Sequence, residues 1–168
     1  VRALQSADII LHDDLVSAGV LDMARREARK IAVGKRCDGP SCQQKSISAL
    51  IVEHARAGSH VVRLKGGDPG IFGRLDEELD EARLAGFVPE IVPGISTAQG
   101  AAASLGFSLT RRNFSNRLQF VTGHGADGGL PAHLDMDALA DPAATTCIYM
   151  GRKTLSALSA ALLARGLD

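Results

Sequence analysis

VVRLKGGDPGIFGR, residues 61–74, sets the reading of the whole chain. A run of branched apolar residues stops at Gly66 and Gly67. Asp68 and Pro69 follow, then Gly70 and Gly73. A short apolar run of this kind reads as a buried strand. Glycines at its end let backbone N–H and C=O groups approach a ligand, because no Cβ intervenes. Asp68 can accept a bond from a ligand hydroxyl or amine, or act only as a local turn or cap residue. The loop lacks G-x-x-x-x-G-K-[ST], and no G-x-G-x-x-G opens a helix, so an ATP or NAD site is not indicated.

Working outward, strands and helices alternate. Strands are expected at residues 8–12, 30–34, 60–64 and 87–92, the last with Pro89 hinting at an edge. Helical pieces are expected at 20–28, from Gln43 to a stop at Gly58, and at 74–85 before Gly86. Such alternation implies right-handed crossovers and a mostly parallel sheet covered on both faces. VPGIS breaks the rhythm, and Ser96 with Gln99 matches a capping box. The helix behind it, STAQGAAASLG, is built of small residues that allow close packing or close approach of a ligand. A second unit follows, with strands in LQFVTGHG and ATTCIYMG and a helix at 155–164. The expected domains are therefore 1–95 and 96–168. The first lacks its start and the second its end, because VRALQSAD reads as the last turns of a helix and GLD leads nowhere.

Composition narrows the functional classes. The chain has 168 residues, 45% apolar and 23% charged, as in ordinary globular proteins. Its formal net charge is zero, so no basic field argues for nucleic acid. One tyrosine, five phenylalanines and no tryptophan make a base-stacking platform a poor fit. Cys37, Cys42 and Cys147 are too irregular for a disulfide framework or zinc spacing, which points to reduced cytoplasmic thiols. No apolar run reaches membrane-spanning length. The basic RREARK and the acidic LDEELDEAR read as solvated faces.

Ligands of open parallel sheets bind beyond the carboxyl ends of the strands. HDDLVSAG, GKRC, KGGDPGIFG, PGIST, TGHG and YMGRK all fall there. Asp13 and Asp14 form a carboxylate pair in which one member can be a general base or an N-cap. Lys35 with Arg36, and Arg111 with Arg112, can bind carboxylates or phosphates, or lie on the surface. His124 sits between two glycines, where a histidine can be functional or merely structural.

These clusters, in this order, resemble the tetrapyrrole (corrin/porphyrin) methylase family. ADIILHDDLVS, VGKRC, VVRLKGGDPGIFGR, IVPGIS, SLTRRNFSNRLQFVTGH and IYMG carry the likeness and span nearly the whole chain. The resemblance implies two α/β domains, the first with a mostly parallel sheet and the second with a mixed one, and S-adenosylmethionine in the cleft between them. It implies two-fold C-methylation of uroporphyrinogen III to precorrin-2, for sirohaem or cobalamin. By the same likeness Gly66, Gly67, Asp68, Ile71, Ser96, Thr97 and Met150 would bind the cofactor. Asp13 would be the proton acceptor and Lys35 the proton donor, while Arg36, Arg111 and Arg112 would meet an acidic substrate. A cytoplasmic homodimer without metal, nucleic acid or membrane partner is the matching expectation. The family's first glycine- and proline-rich loop would lie before residue 1, and its last cofactor-binding segments after residue 168.

The chain also departs from the pattern. LYDRLVS is LHDDLVS here, with His12 for a tyrosine and Asp14 for an arginine. GRGGEE is GRLDEE, with Leu75 in the altered stretch, and PLTHRDY is SLTRRNF, with Arg111 for a histidine. These changes leave room for a same-fold methylase with another substrate, or for a cofactor-binding domain without catalysis.

Overall fold

The computed structural model describes residues 1–34 and 40–167, with only the helical backbone of residues 40–46. The chain divides into two compact units, Val1–Ser96 and Thr97–Asp168.

The first unit is built on a three-stranded parallel sheet in the order β2-β1-β3. Its strands are β1 (Ile9–His12), β2 (Arg29–Ala32) and β3 (Val61–Leu64). β1 is central, and Ile9, Ile10 and Leu11 are all buried. An unbroken apolar run suits a parallel strand covered on both faces. Ile10 packs with Leu4 of helix α1 (Arg2–Ser6), Ala7 and Ala28, and with Val20 and Leu21 of helix α2 (Ala18–Leu21). Successive strand residues point to opposite faces, so Leu11 faces the other way. Arg63 is its register partner on β3 and shares that face. Helix α3 (Pro40–Arg56) packs on helix α4 (Leu75–Leu84) and on β3.

Asp8 ties the amino ends of the three strands together. Its carboxylate accepts the His60 N–H at 2.7 Å and pairs with Arg25. Its backbone joins His60 and Arg29. The His60 N–H, and then the Arg25 charge, hold the Asp8 carboxyl below the ordinary range. A lowered folded-state value gives stability that is present above the unfolded value and lost as pH falls through the folded one. Asp8→Asn is thus expected to lower the melting temperature at neutral pH. The gap from the parent should close as pH falls below about 4, near the unfolded carboxylate value, in melts followed across that range.

Two expected elements differ. Residues 87–92 form no strand. Val88, Ile91 and Val92 are exposed, and the segment pairs with no strand among the described residues. A strand needs a partner, and propensity alone does not supply one. The helix expected at 20–28 is only Ala18–Leu21, because Arg25 is drawn down to Asp8 and donates to the Ala7 carbonyl at 2.8 Å.

The second unit begins with helix α5 (Thr97–Leu105). Strands β4 (Arg117–Thr122) and β5 (Ala144–Tyr149) pair in parallel around the short helix α6 (Met136–Leu139), and helix α7 (Leu155–Leu163) follows a 3₁₀ turn at Gly151–Lys153. Leu139, Leu158 and Leu162 form its core, with Val121 and Ile148 against them. The described pairing is parallel throughout, where a mixed sheet was expected; beyond it there is only one antiparallel bridge, Arg111 to Ser115, among the described residues.

Candidate active site

From β1 the chain moves out to β2, then crosses to β3 on the far side of β1. The direction of travel reverses between β1 and β3, which is where open α/β sheets form a ligand crevice. Two loops flank that point. Residues 13–17 leave β1, and residues 65–74 leave β3. They meet: a Cβ at Gly66 would lie 3.2 Å from the Leu15 Cβ.

Asp13 sits at the end of β1, its N–H bonded to the Leu64 carbonyl at 3.3 Å. Its Oδ1 pairs with Arg63, and its side chain is about a third exposed (32%). Arg63 also donates to Glu78 Oε1 at 3.1 Å, to the Leu64 carbonyl at 3.0 Å and to the Leu11 carbonyl at 3.3 Å. Lys65 reaches the same Glu78 oxygen at 2.8 Å. The Glu78 and Lys65 side chains are only 5% and 8% exposed. LDEELDEAR is therefore not a wholly solvated face. Glu78 turns inward beside Leu79 and Ala82 and meets two cations under the sheet end.

The glycine loop is held from within. Asp68 Oδ1 accepts the Gly70 N–H at 2.8 Å, and Oδ2 accepts the Gly94 N–H at 2.9 Å. Asp68 thus braces its own turn and fastens the VPGIS segment to it. Gly67 has φ of 94°, and a Cβ at residue 94 would run into the Gly67 carbonyl. The positive φ and the close approach each require glycine. Gly66 and Gly67 expose their backbone, with Ile71 half-buried nearby in the same loop. Arg74, left-handed at the head of α4, binds Glu77 through two N–H groups at 2.7 Å. That pair holds the Glu77 carboxyl below its ordinary range.

Ser96 is buried at the end of the first unit. Within the second unit, Thr97 opens α5 and is exposed. Met150 follows β5 with a left-handed backbone (φ 56°) and is exposed. The Tyr149 hydroxyl accepts the Ala98 N–H at 3.1 Å, which brings the Met150 turn to the head of α5. Arg111 and Arg112 lie on an exposed turn, where the Arg111 guanidinium stacks 4.5 Å from the Phe114 ring centre. Lys35 and Arg36 lie outside the described residues.

The structure thus gathers Asp13, Gly66, Gly67, Asp68 and Ile71 at one sheet end, and Thr97 with Met150 in the second unit. Sequence reasoning passed over Arg63, Lys65, Glu78 and Tyr149. One signal was available: an arginine inside an apolar strand must find a counter-charge, and Glu78 falls on the inward stripe of its helix.

The pattern of the family described as Tetrapyrrole (Corrin/Porphyrin) Methylases matches residues 1–168. A siroheme synthase of Zymomonas mobilis subsp. mobilis is 48% identical over 99% of this chain, which spans 35% of that protein. An Arabidopsis thaliana protein named S-adenosyl-L-methionine-dependent uroporphyrinogen III methyltransferase, chloroplastic, is 43% identical over 99% of the chain, which spans 45% of it. Among solved structures, uroporphyrin-III C-methyl transferase of Thermus thermophilus, complexed with S-adenyl homocysteine, aligns with a TM-score of 0.78 and 35% identity, over 99% of this chain and 68% of that one.

Proposed function

Because this chain belongs to the tetrapyrrole (corrin/porphyrin) methylase family, we propose that it carries the heart of an S-adenosylmethionine-dependent enzyme that methylates uroporphyrinogen III at two ring carbons, giving precorrin-2. The single observation that carries the reading is the meeting, at the sheet's switch point, of the Asp13 loop with the backbone-lined Gly66–Gly67 loop. The names of the relatives favour the sirohaem branch.

The loop fits the cofactor. Its exposed glycine backbone, the half-buried Ile71, and the Asp68 bonds that fix the turn make a cradle for a flat adenosine derivative. Gly66, Gly67 and Ile71 would hold it, with Ser96, Thr97 and Met150 contributing further contacts, and Asp68 shaping the loop. When bound, S-adenosylmethionine supplies a methyl group on a sulfonium, whose carbon–sulfur electron pair stays with sulfur as the ring carbon takes the methyl.

The chain's own residues do the rest. A pyrrole system that has gained a methyl carries positive charge until it loses a proton from a bridging carbon. Asp13 is the acceptor in this reading. Its Oδ1 is bound to Arg63, and its Oδ2 has no bond among the described residues. A positioned base of this kind is worth about 10²–10⁴ in rate. Lys35 is the proposed proton donor. Arg36, Arg111 and Arg112 are proposed to pair with substrate carboxylates, Arg111 being pre-oriented by Phe114. A cytoplasmic homodimer belongs to the same proposal. The balanced charge supports the absence of a nucleic-acid partner. No helix among the described residues is long and apolar enough to cross a membrane.

The test is turnover by the intact polypeptide that carries this chain, with S-adenosylmethionine and uroporphyrinogen III under reducing, anaerobic conditions. A product heavier by two methyl groups is expected. Cofactor binding with no gain in mass would instead favour another substrate or a domain that binds without catalysis.

A further inference from the structure

We propose that Arg63, held by Glu78, is the residue that positions Asp13 for proton transfer. The inference rests on the reading of Asp13 as the base. Four charges form a chain beneath the sheet end: Asp13, Arg63, Glu78 and Lys65. Arg63 is its hinge. Its Nε faces Glu78 on α4, its Nη1 faces the Leu64 and Leu11 carbonyls, and its Nη2 faces Asp13. A guanidinium has a rigid, planar fork. With Nε and Nη1 fixed by helix and strands, the direction of Nη2 is fixed too. Asp13 Oδ1 is therefore set by groups on three elements, while Oδ2 has no bond among the described residues. Catalytic groups need such support to keep a productive geometry.

The distribution of charge separates this role from plain stability. Glu78 keeps Lys65 as a buried partner at 2.8 Å if Arg63 is removed. Among the described residues, the charge then left without its partner is Asp13, which is a third exposed and can be hydrated. The main loss falls on the orientation of Asp13.

The experiment is a double-mutant cycle on the intact polypeptide, using Asp13→Asn and Arg63→Met, with kcat and KM for uroporphyrinogen III, the Kd of S-adenosylhomocysteine by calorimetry, and the melting temperature. Arg63→Met is expected to lower kcat about 10-fold or more within the range a general base commands, with KM and Kd changed less than about twofold. In the Asp13→Asn background it should lower kcat less than about twofold, because a residue acting through Asp13 has nothing left to act on. Equal loss in both backgrounds overturns the inference, as does an unchanged kcat in Arg63→Met while Asp13→Asn is slow. If Asp13→Asn itself turns over normally, the base reading fails and this inference with it. Should Arg63→Met fail to fold, Arg63→Lys carries the same cycle. A single ammonium cannot span Glu78 and Asp13 with a fixed fork, so the same kcat loss, confined to the Asp13 background, is expected.

Discussion

Replacing Asp13 by Asn should slow methyl transfer about 100-fold or more, as expected for the loss of a positioned base, and leave cofactor affinity within about twofold. The substitution preserves shape. An asparagine carbonyl oxygen can still accept from Arg63, so the loop after β1 keeps its anchor. The backbone bond from residue 13 to the Leu64 carbonyl is untouched. What goes is the negative charge, and with it the ability to take a proton. The proposed cofactor cradle lies in the neighbouring loop, which Asp68 braces through bonds to Gly70 and Gly94. Single-turnover rates by product mass, beside calorimetric titration with S-adenosylhomocysteine, decide the matter. Parallel loss of rate and affinity would show a damaged site rather than a missing base.

Gly94→Ala is expected to weaken cofactor binding about tenfold or more, which corresponds to about 1.4 kcal/mol. The added methyl would occupy the space of the Gly67 carbonyl, which is backbone and cannot swing aside. The two loops must separate, and the Asp68 bond to the Gly94 N–H lengthens or breaks. The core of the unit, around Ile10 and Leu4, lies elsewhere and should keep its helical and strand content. Gly19→Ala is the control. Nothing lies within 4 Å of a Cβ there, and it sits within α2. Alanine should be tolerated at that site or stabilise it slightly. An unchanged Kd in Gly94→Ala would mean that the Gly67–Gly94 contact does not shape the binding loop.

Much of this arrangement was legible in the amino-acid order. The buried run of β1, the end of α3 before the left-handed Gly58 (φ 84°), and the glycine loop after β3 are local facts. They follow from side-chain periodicity and from the one residue that lacks a Cβ. The ordered set of motifs also carried the resemblance to the family whose pattern matches residues 1–168.

Other features were decided only by the tertiary structure. Residues 87–92 have a strand's composition but form none, because pairing depends on a neighbour that the segment does not itself specify. Asp68 was legible as a ligand acceptor or a turn residue, but its bond to Gly94, 26 residues away, was not. Glu78 read as one more charge on an acidic face, until Arg63 and Lys65 were seen to converge on it. Local order along a chain determines which segments bury themselves and where the backbone is free to turn. Which charge meets which, and hence what holds Asp13, is a long-range fact, because partners on β1, β3 and α4 become neighbours only once the sheet has been assembled and covered.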